Sequence, residues 1–449
     1  MSSVAFLLCA GFVFFLLRLE RRASPGSSLA LWIPTIWMMI IASRPLATWF
    51  VASQVSVPLS NESGSPLDRW VLAGLSLAAL AVLFLRQFDW AGALRRHKWL
   101  LVLLAYMLLS TLWSDISLIA LKRWAREWIV IVMALLIMSE LNPRQALASV
   151  LRRAAYVLVP FSVVLIKYYP RLGRQYGHWS GVEMWTGVTG QKNELGRLCA
   201  LSVFFLLWTL FQNFREHQLI GRRYHVWADV CVLVIALYLL FGSNSSTSLA
   251  TLIAGVASLL GMFWYRKFGL KIPRAGLSAL VIVLIVFGAS TPFVGGANVG
   301  TFSATFGRDN TLTGRTEVWK SVLPAMEQQA LGGYGYSSFW TDARRQLYEI
   351  PTAHNGYLDV LLELGAIGLA FFSFWLWSCA GQLHRALKEN YEWASFAIWL
   401  LVMTLIYNIT ESALNSLTDY MTASVVLVCL VVPYRSKLAS GRGRHETLA

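Results

Sequence analysis

Two residues of one long polar segment, His354 and Arg315, have side chains suited to proton transfer beside a bound anion. A neutral imidazole accepts a proton near physiological pH. A guanidinium keeps its charge and presents a planar fork of donors that matches phosphate or diphosphate. Their presence in one segment predicts a site where a base and an anion-binding cation act together.

Arg315 falls on the apolar stripe of a predicted helix. The apolar residues of that stripe are Trp319, Val322 and Met326. At helical spacing these side chains share one face, so the guanidinium points toward protein or membrane. A buried guanidinium needs an anion, and phosphate is one candidate. The alternative is a structural ion pair with Glu317 or Asp309.

His354 precedes the next apolar stretch. We expect a helix capped by Thr352, which places His354 in the first turn, where the helix dipole disfavours the imidazolium form. Glu363 lies on the opposite face of that helix, so it either binds substrate or anchors the segment. A lone histidine beside a helix is also often structural.

The elements that must position these residues are membrane helices. The chain is 57% hydrophobic, with 20 Trp and only 14% charged residues, too little polar surface for a soluble protein of 449 residues. About twelve or thirteen apolar windows predict a polytopic membrane protein. They are residues 2–17, 28–43, 70–85, 99–113, 127–140, 154–167, 195–212, 226–241, 248–264, 275–292, 364–381, 392–409 and 420–433.

The windows divide the chain into four parts. Residues 1–292 form an N-terminal membrane region, and 293–363 form a long external loop that carries Arg315 and His354. Residues 364–434 form a C-terminal membrane region, followed by a basic tail, 435–449.

The net charge of +15 is explained by topology. Basic residues concentrate in alternate connections between the windows, which marks those connections as cytoplasmic, and no nucleic-acid partner is implied. The remaining basic residues lie on the other side or inside spans, and an anionic ligand is their simplest common cause; snorkelling to lipid phosphates is the alternative. Arg44 and Arg69 stand apart. The clusters are Lys122, Arg123, Arg126; Lys167, Arg171, Arg174; Lys192, Arg197; Arg308, Arg315, Lys320; and Arg344, Arg345.

The segment before the window 195–212 is a second polar region with turn-forming Pro and Gly residues. Arg171, Arg174 and Lys192 of this region are candidates to complete a diphosphate cradle. Its aromatic residues either stack on a sugar ring or anchor the chain at the membrane interface. They are Tyr176, Trp179 and Trp185.

The five cysteines fall in apolar windows, so no disulfide framework is indicated. The sequence has no H-E-x-x-H, C-x-x-C, Walker or dinucleotide-binding motif. We therefore expect neither a metal site nor a cofactor.

The order of these motifs resembles the O-antigen ligase and polymerase superfamily, in particular bacterial exopolysaccharide polymerases. The resemblance spans about residues 30–410. It rests on Trp113-Ser-Asp115 with Leu121-Lys-Arg-Trp124, Lys167-Tyr-Tyr-Pro170, Lys192-Asn193, Gly314-Arg315 with Trp319, and His354-Asn355 with Leu358, Glu363 and Gly365.

The resemblance implies an all-helical membrane fold of the C-type glycosyltransferase kind in the bacterial inner membrane, with the site facing the periplasm. It implies metal-free transfer of glycan from an undecaprenyl-pyrophosphate donor to an acceptor hydroxyl, with His354 as base and Arg315 on the pyrophosphate. The further substrate-binding residues that it implies are Arg123, Arg171, Arg174, Lys192, Asn193, Asn355 and Glu363.

Three other hypotheses remain open at this point. The enzyme either polymerises repeat units or ligates a finished glycan onto a lipid or another acceptor. From another class, a transporter of the same lipid-linked glycan would need cations deep in its spans and internal repeats. A structural membrane scaffold is the least favoured hypothesis.

Overall fold

A computed structural model describes residues 1–24, 26–50, 65–176, 183–215, 223–269, 273–294 and 315–434. Trp179, Arg308, Asp309 and the predicted tail lie outside these residues. The helices are α1 (Ser2–Ala23), α2 (Trp32–Ile41), α3 (Ala47–Phe50), α4 (Pro66–Leu85), α5 (Trp90–Leu94), α6 (Lys98–Ser110), α7 (Ser117–Met138), α8 (Pro143–Tyr168), α9 (Pro170–Gly173), α10 (Lys192–Arg215), α11 (Arg223–Gly242), α12 (Ser246–Lys267), α13 (Arg274–Ser290), α14 (Arg315–Gln328), α15 (Asp342–Tyr348), α16 (Gly356–Ala386), α17 (Tyr391–Tyr407) and α18 (Tyr420–Val431).

Every predicted apolar window coincides with one of these helices, which confirms a helical, polytopic membrane protein. Within the described residues, six helices are long and apolar enough to cross a membrane, namely α1, α4, α8, α10, α12 and α16. Shorter apolar helices accompany them, among them α11, α13, α17 and α18. The fold departs from purely helical structure in one antiparallel pair of short strands, β1 (Arg174–Tyr176) and β2 (Glu183–Trp185).

Helices α8 and α10 form the centre of the protein, and most of their apolar windows are buried. Around them pack α1, α2, α11, α12 and α18. Helix α16 packs on α6 and α13, and α7 packs on α4 and α18. Only 11% of the α4 window is buried, so the other described residues leave most of the α4 surface uncovered.

Two ion pairs fix α8 against its neighbours. Arg153 Nε lies 2.6 Å from a carboxylate oxygen of Glu20 on α1, and Arg152 Nε lies 3.1 Å from Asp229 on α11. The Tyr156 hydroxyl donates to the same Asp229 carboxylate at 2.6 Å. The two carboxylates are fully buried, so each arginine pairs with its own carboxylate inside the helix bundle.

Helix α16 is broken at Gly365, whose φ of +64° only glycine adopts at low cost. The segment before α15 fills the break. Backbone N–H groups of Ala366 and Ile367 donate to Ala330 and Leu331 at 2.8 and 3.2 Å, and Tyr334 N donates to Leu362. Because a helix break inside a membrane protein must have its backbone groups satisfied by protein, this contact docks residues 330–334 onto the bundle.

Candidate functional site

Helix α14 supports the histidine from one side. Its buried face is the predicted stripe, with Trp319 and Val322 fully buried and Met326 nearly so. The Trp319 indole N–H donates to the carbonyl of Ala353 at 2.9 Å. The predicted stripe is therefore confirmed, and it holds the residue next to His354.

The predicted start of the following helix is wrong. The helix begins at Gly356 and its cap is Asn355, whose side-chain oxygen accepts from Leu358 N at 2.8 Å. Asparagine is among the best capping residues, and its amide also donates to the Gly288 and Ile409 carbonyls at 3.0 Å each. His354 thus precedes the helix, in the left-handed region at φ +50°.

A left-handed conformation is uncommon for histidine and has to be held by its surroundings. On one side, Ala353 N donates to the Asp359 carboxylate at 3.1 Å. On the other, Gly356 N donates to the carbonyls of Asn408 and Glu411 at 2.9 and 3.0 Å. The backbone around His354 is therefore fixed from both directions.

One carboxylate, Glu411, forms the centre of the site. It lies in the connection between α17 and α18 and forms an ion pair with Arg315. Asn193 Nδ2 donates to Glu411 Oε1 at 2.7 Å, and His354 Nδ1 lies 3.4 Å from Glu411 Oε2. Three predicted residues, Arg315, His354 and Asn193, therefore meet at Glu411, which was not predicted.

Arg315 does form the ion pair that was the alternative from the sequence, with Glu411 as its partner in the described residues; Asp309 lies outside them. Glu317 instead faces Lys320 on the exposed side of α14, at 3.9 Å. The Arg315 side chain is 13% exposed and Glu411 is 7% exposed. Arg315 thus has a buried carboxylate partner and still reaches the surface.

Burial alone would raise the pKa of the Glu411 carboxyl. The hydrogen bond with His354 and the charge of Arg315 outweigh it and hold this pKa below its ordinary value. Glu411 is therefore an anion at neutral pH. Since a carboxylate only accepts hydrogen bonds, the facing Nδ1 of His354 is the donor in this contact.

A second ion pair adjoins the first. Arg197 on α10 lies 2.6 Å from Asp419, which caps α18, and its guanidinium lies over the ring of Tyr407. Asn408 Oδ1 accepts from the N–H groups of Ala413 and Leu414 and so shapes the turn that carries Glu411. These contacts organise the whole connection 408–419.

The sequence did offer one signal for this connection. Residues 410–419, Thr-Glu-Ser-Ala-Leu-Asn-Ser-Leu-Thr-Asp, form a polar run between two apolar windows and hold two acidic residues and no basic residue. Such a run beside an excess of external arginines indicates where their partners lie. Glu411 and Asp419 are the residues of the candidate site that the sequence prediction missed.

Two predicted residues meet elsewhere, at Ser337. Arg123 donates to the Ser337 carbonyl at 2.5 Å, and the buried Glu363 accepts from Ser337 N at 3.0 Å. Glu363 therefore anchors the chain at Ser337, and anchoring is one of the two roles predicted for it.

The three cations predicted to form a diphosphate cradle have different surroundings in the structure. Arg174 donates to the Ile166 carbonyl at 2.7 Å and pairs with Glu183 across the hairpin at 2.9 Å. Arg171 is exposed, and Lys192 is half-buried at the start of α10, next to Asn193. Of these three cations, Lys192 is next in sequence to Asn193, which binds Glu411.

The donors around Glu411 are suited to an anion. They comprise a guanidinium, an imidazole and an amide, all of which offer N–H groups. Over the described ranges, the structure holds no group of three or more His, Cys, Asp or Glu side chains arranged to bind a metal ion.

Comparison with known proteins confirms the predicted resemblance. Residues 231–373 match the family described as O-antigen ligase, and this stretch contains both Arg315 and His354. The chain is also 26% identical over 369 residues to the "Exopolysaccharide production protein ExoQ" of Rhizobium meliloti (strain 1021). That alignment covers 78% of this chain and 80% of the relative.

Proposed function

We propose that this chain, whose residues 231–373 form an O-antigen ligase region of the membrane glycosyltransferase type, transfers or polymerises glycan from an undecaprenyl-pyrophosphate donor. The acceptor is a sugar hydroxyl at the periplasmic face of a bacterial inner membrane. The observation that carries the proposal is the convergence of Arg315, His354 and Asn193 on Glu411.

Each residue has a role in this reaction. His354 Nε2 takes the proton of the acceptor hydroxyl, and the hydroxyl oxygen forms a bond to the anomeric carbon. The bond between that carbon and the diphosphate oxygen breaks, and its electron pair leaves with the diphosphate. Arg315 stabilises this departing charge, so a fixed guanidinium replaces a divalent cation.

Glu411 is a positioning residue in this mechanism. It fixes the tautomer of His354 and stabilises the imidazolium that forms when the proton arrives. It also holds Arg315 until the diphosphate competes for the guanidinium. Attack from the face opposite the leaving group inverts the anomeric centre, and retained configuration in the product would contradict this step.

The architecture is compatible with the same proposal. Twelve or thirteen spans of the C-type glycosyltransferase kind would place the connections 293–363 and 408–419 on one side of the membrane. Arg123, Arg171, Arg174, Lys192 and Asn355 are then further candidates along the path of the glycan or in support of it.

The test uses purified protein in nanodiscs with an undecaprenyl-pyrophosphate oligosaccharide and EDTA. Wild type is compared with His354→Gln and Arg315→Ala, and mass spectrometry follows released lipid diphosphate and extended or transferred glycan. We expect turnover by the wild type and its loss in both variants. The product distinguishes polymerisation from ligation.

Matched controls are His384→Gln, at the far end of α16, and Lys320→Ala, on the exposed face of α14. Both should turn over like the wild type. Undiminished turnover in His354→Gln would remove the base assignment. If folded wild-type protein converts no acceptor but moves the lipid-linked glycan across a vesicle membrane, the transporter hypothesis replaces the enzyme.

A further inference from the structure

A cavity of about 420 Å³ lies where the residues after α6 meet the segment that follows α14. Its volume falls within the range of small-molecule sites. It contains the Trp113-Ser-Asp115 motif, to which the proposed mechanism gives no role. We call this cavity the Trp113 groove; its lining, among the residues described, is Trp113, Asp115, Gln329, Gly332, Gly333 and Tyr334.

The Trp113 groove is separate from the Glu411 site and close to it along the chain. Its wall from Gln329 to Tyr334 lies between Arg315 and His354 in the sequence. Tyr334 N donates to the carbonyl of Leu362 on α16 at 2.9 Å. At 1.5 Å per residue, Leu362 is about 9 Å along α16 from its first residue, two positions after His354. A few linked sugars span such a distance.

The indole of Trp113 is held in place and remains partly uncovered. Its N–H donates to the Gly333 carbonyl at 3.2 Å, and yet Trp113 is 43% exposed. Since the N–H is the single polar group of an indole and is already bonded, the side chain exposes apolar ring surface. The face of an aromatic ring carries a negative potential, against which C–H groups pack.

The polar groups of the groove are also fixed. Arg344 Nη2 donates to Asp115 at 2.9 Å, and the guanidinium lies 4.6 Å from the ring of Tyr334. The Tyr334 hydroxyl donates to the Ala325 carbonyl at 3.1 Å. The Asp115 side chain is nevertheless 57% exposed, and Gln329 is exposed. The groove thus offers a carboxylate that accepts hydrogen bonds and an amide that donates and accepts them.

The two glycines of the groove differ in what they require. Gly333 has a φ of +66°, and a Cβ there would overlap the backbone of Glu363, so glycine is needed. A methyl group at Gly332 would instead meet the Trp113 ring at 3.8 Å, an ordinary contact. Glycine at this position therefore leaves the ring uncovered, and alanine would cover part of it without strain.

The combination of an aromatic ring with hydrogen-bonding groups matches a sugar. A pyranose presents C–H groups on a face of its ring and hydroxyls at its edge, and each hydroxyl donates and accepts. Asp115 is the charged residue of the lining within the described chain, and its carboxylate repels an anion. The groove therefore favours a neutral pyranose over a uronate or a lipid phosphate.

We propose that the Trp113 groove binds a neutral sugar unit of the glycan, with the pyranose ring on Trp113 and its hydroxyls on Asp115 and Gln329. The source of this sugar rests on the proposed function, because the glycan is the substrate named there. The groove adds a contact apart from the diphosphate contact at Arg315, so a glycan of several units is held at two points.

The test measures binding of cellotetraose, a neutral glucose oligomer, to purified protein in nanodiscs by saturation-transfer NMR, with empty nanodiscs as the blank. We expect wild type to bind it and Trp113→Leu, which stays apolar but lacks the ring, to bind about 3- to 10-fold more weakly. Gly332→Ala should also weaken binding, at an unchanged melting temperature. Tetragalacturonate, which carries a carboxylate on every unit, should not bind.

Two matched controls accompany these variants. Trp70→Leu removes a tryptophan that is 78% exposed near the start of α4, outside the groove. Gly261→Ala places a methyl group in open space on α12. Both should bind cellotetraose like the wild type. An equal loss in Trp113→Leu and Trp70→Leu would show that both tryptophans act as membrane anchors, and this would overturn the groove assignment.

Three further outcomes would overturn the assignment. They are absence of cellotetraose binding by the wild type, unchanged affinity in Trp113→Leu and Gly332→Ala, and binding of tetragalacturonate as strong as that of cellotetraose. Because the measurement needs no turnover, a failure of the transferase proposal leaves its outcome readable.

An active enzyme permits a second readout. Trp113→Leu should raise KM for a donor that carries several repeat units and leave KM for a donor with a single sugar near wild type, since one sugar at the base does not reach the groove. An equal rise in KM for both donors would contradict a separate sugar site.

Discussion

The protein buries arginine–carboxylate pairs in two regions, and the two are built differently. Within the bundle, Arg153 pairs with Glu20 and Arg152 with Asp229, one carboxylate for each arginine. In the candidate site, here called the outer region, the single carboxylate of Glu411 is shared by Arg315, His354 and Asn193.

The difference lies in what remains for a ligand. In the inner region each positive charge is matched by a carboxylate, so the pairs serve packing between α8 and its neighbours. In the outer region one carboxylate serves both Arg315 and His354, and the side chain of His354 is 25% exposed. Where one carboxylate is shared by several donors, N–H groups remain available to bind an anion. Where each arginine has its own carboxylate, they do not.

The largest expected loss of stability comes from breaking an ion pair inside the helix bundle. Arg153→Met leaves the carboxylate of Glu20 buried and uncompensated, which should cost about 3–5 kcal/mol of unfolding free energy. Thermal unfolding in detergent measures the loss. The double variant Arg153→Met/Glu20→Leu should recover most of it, because well-packed apolar residues often replace a buried pair without loss. If the double variant is as unstable as the single one, the pair has a role beyond charge compensation.

Substitution of arginine by lysine should have different effects in the two regions. Arg315→Lys removes the planar fork from the departing diphosphate and should lower the turnover rate about 10²- to 10³-fold at an unchanged melting temperature. Arg152→Lys should lower the melting temperature and leave turnover of the folded protein near wild type. Turnover and unfolding are measured on the same preparations. An equal effect of both variants on turnover would contradict the proposed difference between the two regions.

A smaller effect is expected from Gly356→Ala. A methyl group at this position would overlap the side chain of Asn408, which holds the turn that carries Glu411. The loss should be about 1–3 kcal/mol in unfolding free energy, together with reduced turnover. Gly261→Ala on α12, where a methyl group meets open space, is the control and should be neutral in both measurements.

The smallest expected effect is on the pH dependence of the melting temperature, which tests the role of the Glu411 charge. The pKa of Glu411 is lowered in the folded protein, so its ionised form stabilises the native state above the ordinary pKa, and this contribution is lost as pH falls through the lowered one. Melting temperatures of wild type and Glu411→Gln, measured from pH 7 down to about pH 3, should converge in acid by on the order of 1–2 °C. A constant difference would show that Glu411 contributes no charge-dependent stability.

Much of the fold was predictable because membrane helices depend on local composition. Each apolar window from 2–17 to 420–433 lies on a helix, since a run of apolar residues must satisfy its backbone within the segment. The stripe of Trp319, Val322 and Met326 was predictable for the same local reason. The break at Gly365 was not, because its backbone partners come from residues 330 and 331.

The site was predictable in part. The types of His354 and Arg315 and their position in one external segment indicated a base and an anion-binding cation. The helix cap was assigned to Thr352, although asparagine is the slightly better capping residue and Asn355 was available three residues later. The contacts of Asn355 with Gly288 and Ile409 decide between them.

Residue type over short stretches was enough to identify a polytopic helical membrane protein with candidate site residues in one polar segment. Glu411 joins these residues only through the tertiary fold. Glu411 lies 96 residues from Arg315, 57 from His354 and 218 from Asn193. Contacts over such separations arise from the packing of α10, α14 and the α17–α18 connection against one another, and no local pattern encodes them.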